Sequence, residues 1–309
     1  MHEEITIPEL TEVVARLSAL LGPREGGVAK LEGGITNRNY RVNFGGTDYV
    51  VRLPGKRTDV LGIDRESERL ATKAAAQLGI APTVATMLDR PPSLVTSFIP
   101  GRVMTAEELR RPDAVETVAA SLKAFHSSGT VLPSRFDPFE LVERYARIGA
   151  EHGVELPEAF ESMRKRAAAV QKAVRKGAEH TPVPCHNDLL TANFMLDGDR
   201  IDIIDWEYAG MGDRYFDLGN FAVNSEFGGE EEERLLSVYF GRPPDDRTRA
   251  TLKLYRFISD FREAMWGVVQ TAISELDYDF RGYTAKHFDR LTKAGSDPRF
   301  KTWVEAARR

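Results

Sequence analysis

The sequence predicts an α+β fold of two lobes, a small antiparallel sheet over residues 1–100 and a larger helical lobe over residues 101–309. Three observations predict it. Apolar and polar residues alternate through Tyr40, Val42 and Phe44, and a returning run from Tyr49 to Leu53 follows the Gly45-Gly46 turn. Pro100-Gly101 interrupts the chain as a natural hinge, and beyond it the composition shifts toward helix formers. Long stretches with helical spacing then run from about Glu230 to the end.

In order, Leu10, Val13, Val14, Leu17, Leu20 and Leu21 recur at helical spacing, and Gly22-Pro23 ends that helix. Val28 to Leu31 supplies a strand before Gly33-Gly34. Asp64 is placed to cap a helix reaching Leu78, closed by Gly79. Thr83–Leu88 and Leu94–Phe98 read as strands about a Pro91-Pro92 turn. In the second lobe, Thr105 and Glu108 form a capping box. Helices follow over about Ala114–His126, Leu141–Glu151 and Glu158–Lys176. One β insertion, Asn193 to Asp205, turns at Asp197-Gly198.

Composition excludes several classes. The chain has 309 residues, a net charge of -5 and one cysteine, Cys185, so an intrachain disulfide and a cysteine-based zinc cluster are ruled out. The acidic balance leans away from nucleic acid. No run of 18 or more apolar residues and no basic, apolar leader is present, so neither membrane insertion nor export is expected, and a cytoplasmic setting fits. Oligomeric state is left open.

The densest chemistry lies in Cys185-His186-Asn187-Asp188-Leu189-Leu190-Thr191-Ala192-Asn193 and Ile203-Ile204-Asp205-Trp206-Glu207-Tyr208. Asp188 and Asn193 are one tight loop apart, and the hairpin after Asn193 folds Asp205 back beside it. Two carboxylates and an amide oxygen then converge without a histidine or thiolate pair. Hard oxygen ligands of this kind suit Mg²⁺, which keeps waters and phosphate oxygens in its shell. A carboxylate left free of the metal can orient an attacking hydroxyl and accept its proton. This is the order found in protein kinases, with Asp188 as the base and Asn193 and Asp205 as metal ligands.

The first lobe supplies matching parts for ATP. Gly33-Gly34-Ile35-Thr36-Asn37 lies between two strands, where Gly34, Thr36 and Asn37 can approach phosphate oxygens. Arg52 interrupts an apolar strand and must find a partner; it is expected on the phosphates, steadied by Glu68, with Glu66 the competing partner. Backbone groups of Ser97 and Ile99 sit at the hinge, where adenine can pair.

Together these runs, with Leu53-Pro54-Gly55, Ile63-Asp64-Arg65 and Phe216-Asp217-Leu218-Gly219-Asn220, resemble the choline/ethanolamine kinase family within the aminoglycoside-phosphotransferase-like kinases. The resemblance covers roughly Lys30 to Leu291 and implies a protein-kinase-like fold. Trp266-Gly267-Val268-Val269-Gln270, with Tyr278, Tyr283 and Phe288, resembles the helix pair that closes the family's choline pocket. The resemblance implies transfer of phosphate from ATP, with Mg²⁺, to a small cationic alcohol. Choline is expected first, and ethanolamine, thiamine, an aminoglycoside or a non-catalytic nucleotide-binding role are the alternatives. Tyr208, Trp266 and Tyr278 or Phe280 would face the cation, and Glu207 and Glu226 would add negative charge. Asp217 would brace the catalytic loop. One departure is Glu263, near which eukaryotic members carry a second tryptophan; a carboxylate there suits a primary amine as well as choline.

Overall fold

The computed structural model describes residues 7–31, 37–55, 58, 60–175 and 180–309. The alternating run becomes an antiparallel sheet of five strands: β1 (Arg24–Leu31), β2 (Arg38–Phe44), β3 (Thr47–Leu53), β4 (Val84–Asp89) and β5 (Pro92–Ser97), in the order β1-β2-β3-β5-β4. Gly45 and Gly46 adopt φ of 56° and 80°, the left-handed pair that a two-residue hairpin requires, and Phe44 faces Thr47 across it. Helix α1 (Pro8–Leu21) lays Leu10, Val13 and Leu17 against Tyr40, Val42, Phe44 and Val51 on one face of the sheet.

Between β3 and β4 runs α2 (Arg65–Gln77), whose N-terminus is capped as expected: Ser67 N donates to Asp64 Oδ1 at 2.7 Å. Its buried Ala71 and Ala75 do not join the cluster under the sheet. They belong to the large core of the second lobe, with Leu109, Val118, Phe194 and Phe216. Helix α2 therefore carries first-lobe residues to the seam between the lobes.

The second lobe opens with β6 (Arg102–Val103), α3 (Ala106–Leu109), α4 (Pro112–His126), α5 (Pro138–Glu151) and α6 (Phe160–Val174). The Thr105–Glu108 capping box is present at α3. The expected end of the sixth helix at Lys176 lies outside the described residues. Then come β7 (Val183–Cys185), β8 (Phe194–Asp197), β9 (Arg200–Ile203) and β10 (Gly210–Gly212). Helices α7 (Arg214–Asn224), α8 (Gly229–Phe240), α9 (Asp246–Ile273), α10 (Phe280–Gly295) and α11 (Phe300–Ala306) complete the chain. Long α9 is the axis of this lobe: residues from Thr248 to Gln270 are buried along it.

Three features depart from the sequence expectation. The hairpin β8–β9 takes on β6 as a third strand, and β7 pairs with β10. These strands have two or three residues, too few to show a period. Helices also return at Arg214, earlier than Glu230. Asp217, Gly219 and Asn220 give α7 the composition of a loop, but each has a task. Asp217 and Asn220 hydrogen-bond to the loop after β7, and a Cβ on Gly219 would lie 2.7 Å from the Tyr255 carbonyl carbon of α9. Gly219→Ala should therefore cost about 2 kcal/mol of stability by overpacking the α7–α9 crossing. Urea unfolding would show this as a lower midpoint with an unchanged slope.

Candidate active site

Strand β7 delivers the chain into a loop whose backbone is fixed from α7. Asp217 accepts from the backbone N–H of His186 at 2.8 Å through Oδ2 and of Asn187 at 2.7 Å through Oδ1. Asn220 Oδ1 accepts from Leu189 N, and its amide nitrogen donates to Ser259 Oγ on α9 at 2.8 Å. Asn187 holds φ of 67°, a left-handed conformation that asparagine tolerates better than most residues. Its side chain donates to the Tyr208 carbonyl at 3.1 Å. His186 is fully buried, and burial holds its pKa below the usual imidazole value, so the ring is neutral. Asp188 N donates to its Nδ1 at 3.1 Å, which leaves Nε2 to donate to Ile204 O at 2.9 Å. His186 thus ties the loop to the strand end that carries Asp205.

On this frame Asp188 is 7% exposed. Asn193 closes a 3₁₀ turn over Thr191–Asn193, and its Nδ2 donates to Asp188 O at 2.8 Å and more weakly to Oδ2 at 3.4 Å. With its nitrogen so engaged, the Asn193 side chain keeps Oδ1 as an acceptor. Asp205 follows β9 with φ of 63°, and its carboxylate pairs with Arg52 of the first lobe. Burial, with Glu263, Asp205 and Glu207 close by, pushes the Asp188 carboxyl up to about 8 against the pull of Arg262. Asn193 thus sits directly on Asp188, and Asp205 is close enough to help raise the Asp188 carboxyl. The donor set of Asn193 Oδ1 and Asp205 carboxylate fits Mg²⁺, which takes one or two protein oxygens beside phosphate oxygens.

Across the seam, Arg52 on β3 pairs with Glu68 on α2 and with Asp205. Glu66, the competing partner, is taken at the surface by Arg69, whose Nε lies 2.7 Å away. Glu68 also accepts from Arg65 Nη1 at 2.7 Å. Asn37, buried at the end of the glycine-rich segment, donates to Glu207 Oε2 at 2.8 Å, and Arg65 Nη1 stands 3.6 Å from the same oxygen. Gly34 and Thr36 lie outside the described residues. Ser97 pairs with the chain before β4, its hydroxyl accepting from Thr83 N at 3.0 Å, and half-buried Ile99 follows on the link to β6.

The far side of Asp188 is walled by α9 and α10. Trp266 donates from its indole N–H to the Tyr208 hydroxyl at 2.8 Å, and meets Phe280 and Tyr283 edge-on with centroids 5.9 and 5.3 Å away. Tyr278, 45% exposed, leans on Phe280 at 4.9 Å between centroids. Tyr208, Trp266, Tyr278 and Phe280 are therefore brought together as expected. The two carboxylates expected beside them are not. Glu226 follows α7 in a left-handed turn that points its side chain outward, 73% exposed and 3.7 Å from Arg110. Glu207 is buried, but faces Asn37 and Arg65 of the first lobe.

The negative charge at the aromatic wall comes from Glu263, and with it comes a residue that the sequence reading passed over. Arg262 Nη1 donates to Asp188 Oδ1 at 3.2 Å and to Glu263 Oε1 at 2.6 Å, while the Tyr283 hydroxyl donates to Glu263 Oε2 at 2.8 Å. The guanidinium lies over the Tyr208 ring, 4.4 Å from its centroid. Burial alone would raise the Glu263 carboxyl, but Arg262 and its other donors hold it below the ordinary glutamate value. A signal was available: Arg262-Glu263 stands directly before the apolar run Ala264–Val269, and charges buried at such a place must be paired.

One further cluster, His126, Cys185 and Asp217, has ligand atoms within 4.8 Å of one another. It reads as structural. Both His126 ring nitrogens are engaged, with the Tyr239 hydroxyl at 2.7 Å and Asp217 Oδ2 at 2.9 Å, and burial raises the Cys185 thiol well above its ordinary value. It anchors Asp217, the residue that holds the loop after β7.

Comparison with known proteins agrees with this geometry. Residues 27–255 match the Phosphotransferase enzyme family. A choline/ethanolamine kinase family protein from Mesorhizobium loti superposes with a TM-score of 0.83 at 30% identity, over 97% of this chain and 99% of that one. Choline kinase LicA from Streptococcus pneumoniae gives 0.78 at 26% identity, over 94% and 99%. A probable ethanolamine kinase of Arabidopsis thaliana is 25% identical, over 86% of this chain and 79% of its own. Among the described residues no helix is long and apolar enough to cross a membrane. The loop fixed by Asp217, the paired Arg52 and Glu68 across the seam, and a match that spans most of the chain place this protein in the phosphotransferase enzyme family, as a phosphotransferase of the choline/ethanolamine kinase type.

Proposed function

We infer that the chain transfers the γ-phosphoryl group of ATP to the hydroxyl of a small cationic alcohol, with choline the first substrate and ethanolamine the second. The observation that carries this reading is Asp188. It is a buried carboxylate fixed by Arg262 and Asn193, with the aromatic wall of Tyr208 and Trp266 beside it. In this reading residues 1–100 receive the nucleotide and residues 101–309 carry the catalytic and acceptor residues.

Asp188 orients the acceptor hydroxyl and takes its proton as the bond to phosphorus forms; because phosphoryl transfer passes through a loose transition state, orientation matters more than base strength. Asn193 and Asp205 would hold magnesium, which when bound offsets negative charge on the phosphates. Arg52 stands on the nucleotide side, held by Glu68, to receive phosphate oxygens. The rings of Tyr208, Trp266 and Phe280 exclude water from the acceptor and offer faces to an ammonium group. Glu263 favours ethanolamine as a second reading, since a carboxylate can hydrogen-bond a primary ammonium and cannot do so with a quaternary one.

The test is ATP consumption by purified protein with magnesium against choline, ethanolamine, thiamine and kanamycin, with Asp188→Ala as the blank. Turnover with choline or ethanolamine that the variant lacks is the expected result. Turnover with kanamycin or thiamine alone would overturn the substrate assignment, and turnover surviving in Asp188→Ala would overturn the role of Asp188.

A further inference from the structure

We propose that Arg65 is a positioning residue for nucleotide binding, which keeps α2 tied to the segment carrying Asp205 when Arg52 turns to the phosphates; this rests on the ATP reading above. Arg65 is a cation in an unfavourable place. It is the first residue of α2, directly after the Asp64 cap, where the helix dipole disfavours positive charge. Two buried carboxylates, one from each lobe, hold it there. Its Nη1 donates to Glu68 Oε2 at 2.7 Å and stands 3.6 Å from Glu207 Oε2.

Two rungs thus cross the seam, and Glu68 on α2 is the first-lobe end of both. Arg52 joins Glu68 to Asp205, and Arg65 joins Glu68 to Glu207 further along the same segment. Nucleotide binding undoes the first rung at its far end, because Arg52 is needed on phosphate oxygens and Asp205 on magnesium. The second rung meets no such demand and is the one that persists. Glu207 Oε2 also accepts from Asn37 Nδ2 at 2.8 Å, so the oxygen that faces Arg65 holds the end of the glycine-rich segment as well. Through Glu68 and Glu207, Arg65 therefore sets Arg52 and Asn37 in register with each other. Both of its contacts run through one nitrogen, and its Nη2 is buried without a hydrogen-bond partner among the described residues. A lysine ammonium can meet that need. Arg52 differs, since it reaches Glu68 and Asp205 through separate nitrogens and uses the whole fork.

The test is the affinity of the full chain for a non-hydrolysable ATP analogue with magnesium, measured by calorimetry, together with KM for ATP and kcat with choline. Arg65→Met should weaken binding of the analogue about tenfold and raise KM for ATP to match, with kcat at saturating ATP within about threefold of wild type. Arg65→Lys should bind the analogue within about threefold of wild type, because one nitrogen serves both carboxylates. Adding Glu207→Gln to Arg65→Met should weaken binding by less than about twofold further, since the rung is already lost. Should Arg65→Met fail to fold, Arg65→Gln takes its place in the cycle. Losses that multiply in the double variant, a lysine no better than methionine, or a kcat that falls in step with affinity would each overturn the role of Arg65. A wild-type protein that binds the analogue but phosphorylates no alcohol overturns the functional reading, while the affinities still decide the role of Arg65. Wild-type protein that binds no ATP analogue overturns both.

Discussion

Asp188→Asn is expected to abolish nearly all turnover, by about 10²–10⁴-fold, while leaving the protein folded and, above neutral pH, more stable than wild type. Both halves follow from one fact. The carboxyl is buried, and its pKa is pushed up to about 8. A carboxyl raised in the folded state above its unfolded value of about 4 contributes stability that is complete below pH 4 and is lost as pH climbs through about 8. The asparagine variant does not titrate there. Its stability advantage should therefore grow between about pH 4 and pH 8, reaching about 1 kcal/mol, the size usual when a strained functional residue is removed. Arg262 is not stranded by the change, since Glu263 still accepts from it at 2.6 Å. Urea unfolding of the nucleotide-free protein at several pH values reads the stability half. The wild-type pH profile reads the other: kcat/KM should rise with pH toward about 8, because only the ionised carboxylate of the free protein accepts the proton.

Asp205→Ala has the second large effect. It removes the one carboxylate of the expected magnesium site and also the second-lobe partner of Arg52. Turnover should fall by about 10³-fold, the scale of losing a main electrostatic stabiliser of the transferring group. Calorimetric titration with ATP should lose its dependence on magnesium. Glu207→Gln is the informative contrast. It keeps the hydrogen bond from Asn37 in form but removes a charge facing Arg65, so it should weaken nucleotide binding several-fold with magnesium dependence intact. If Asp205→Ala binds ATP with undiminished magnesium dependence, the metal is held elsewhere.

Much of this site was legible in the sequence because its parts are local. Asp188 and Asn193 are joined by one turn, the β8–β9 hairpin returns Asp205, and Asp64 caps α2 so that Glu68 meets Arg52. Each relation lies within one turn, one hairpin or one strand-to-helix connection, and periodicity and turn chemistry encode relations of that range. What was missed depends on packing between distant segments. Arg262 reaches Asp188 from 74 residues away, and nothing near either one in the chain announces the other. Glu226 was expected at the pocket as a carboxylate near the right stretch; its left-handed backbone turns it to solvent beside Arg110. Helix α7 was hidden because its polar residues hold the loop after β7 and its glycine serves the crossing with α9.

The most direct test of the central claim is identification of the product. The full chain is incubated with ATP, magnesium and choline, and again with ethanolamine, and the mixture is followed by phosphorus NMR. A new phosphomonoester resonance from the alcohol is expected, growing one-for-one with ADP, and absent with Asp188→Asn. ADP appearing with free inorganic phosphate whichever alcohol is present, or no ADP at all, would contradict it.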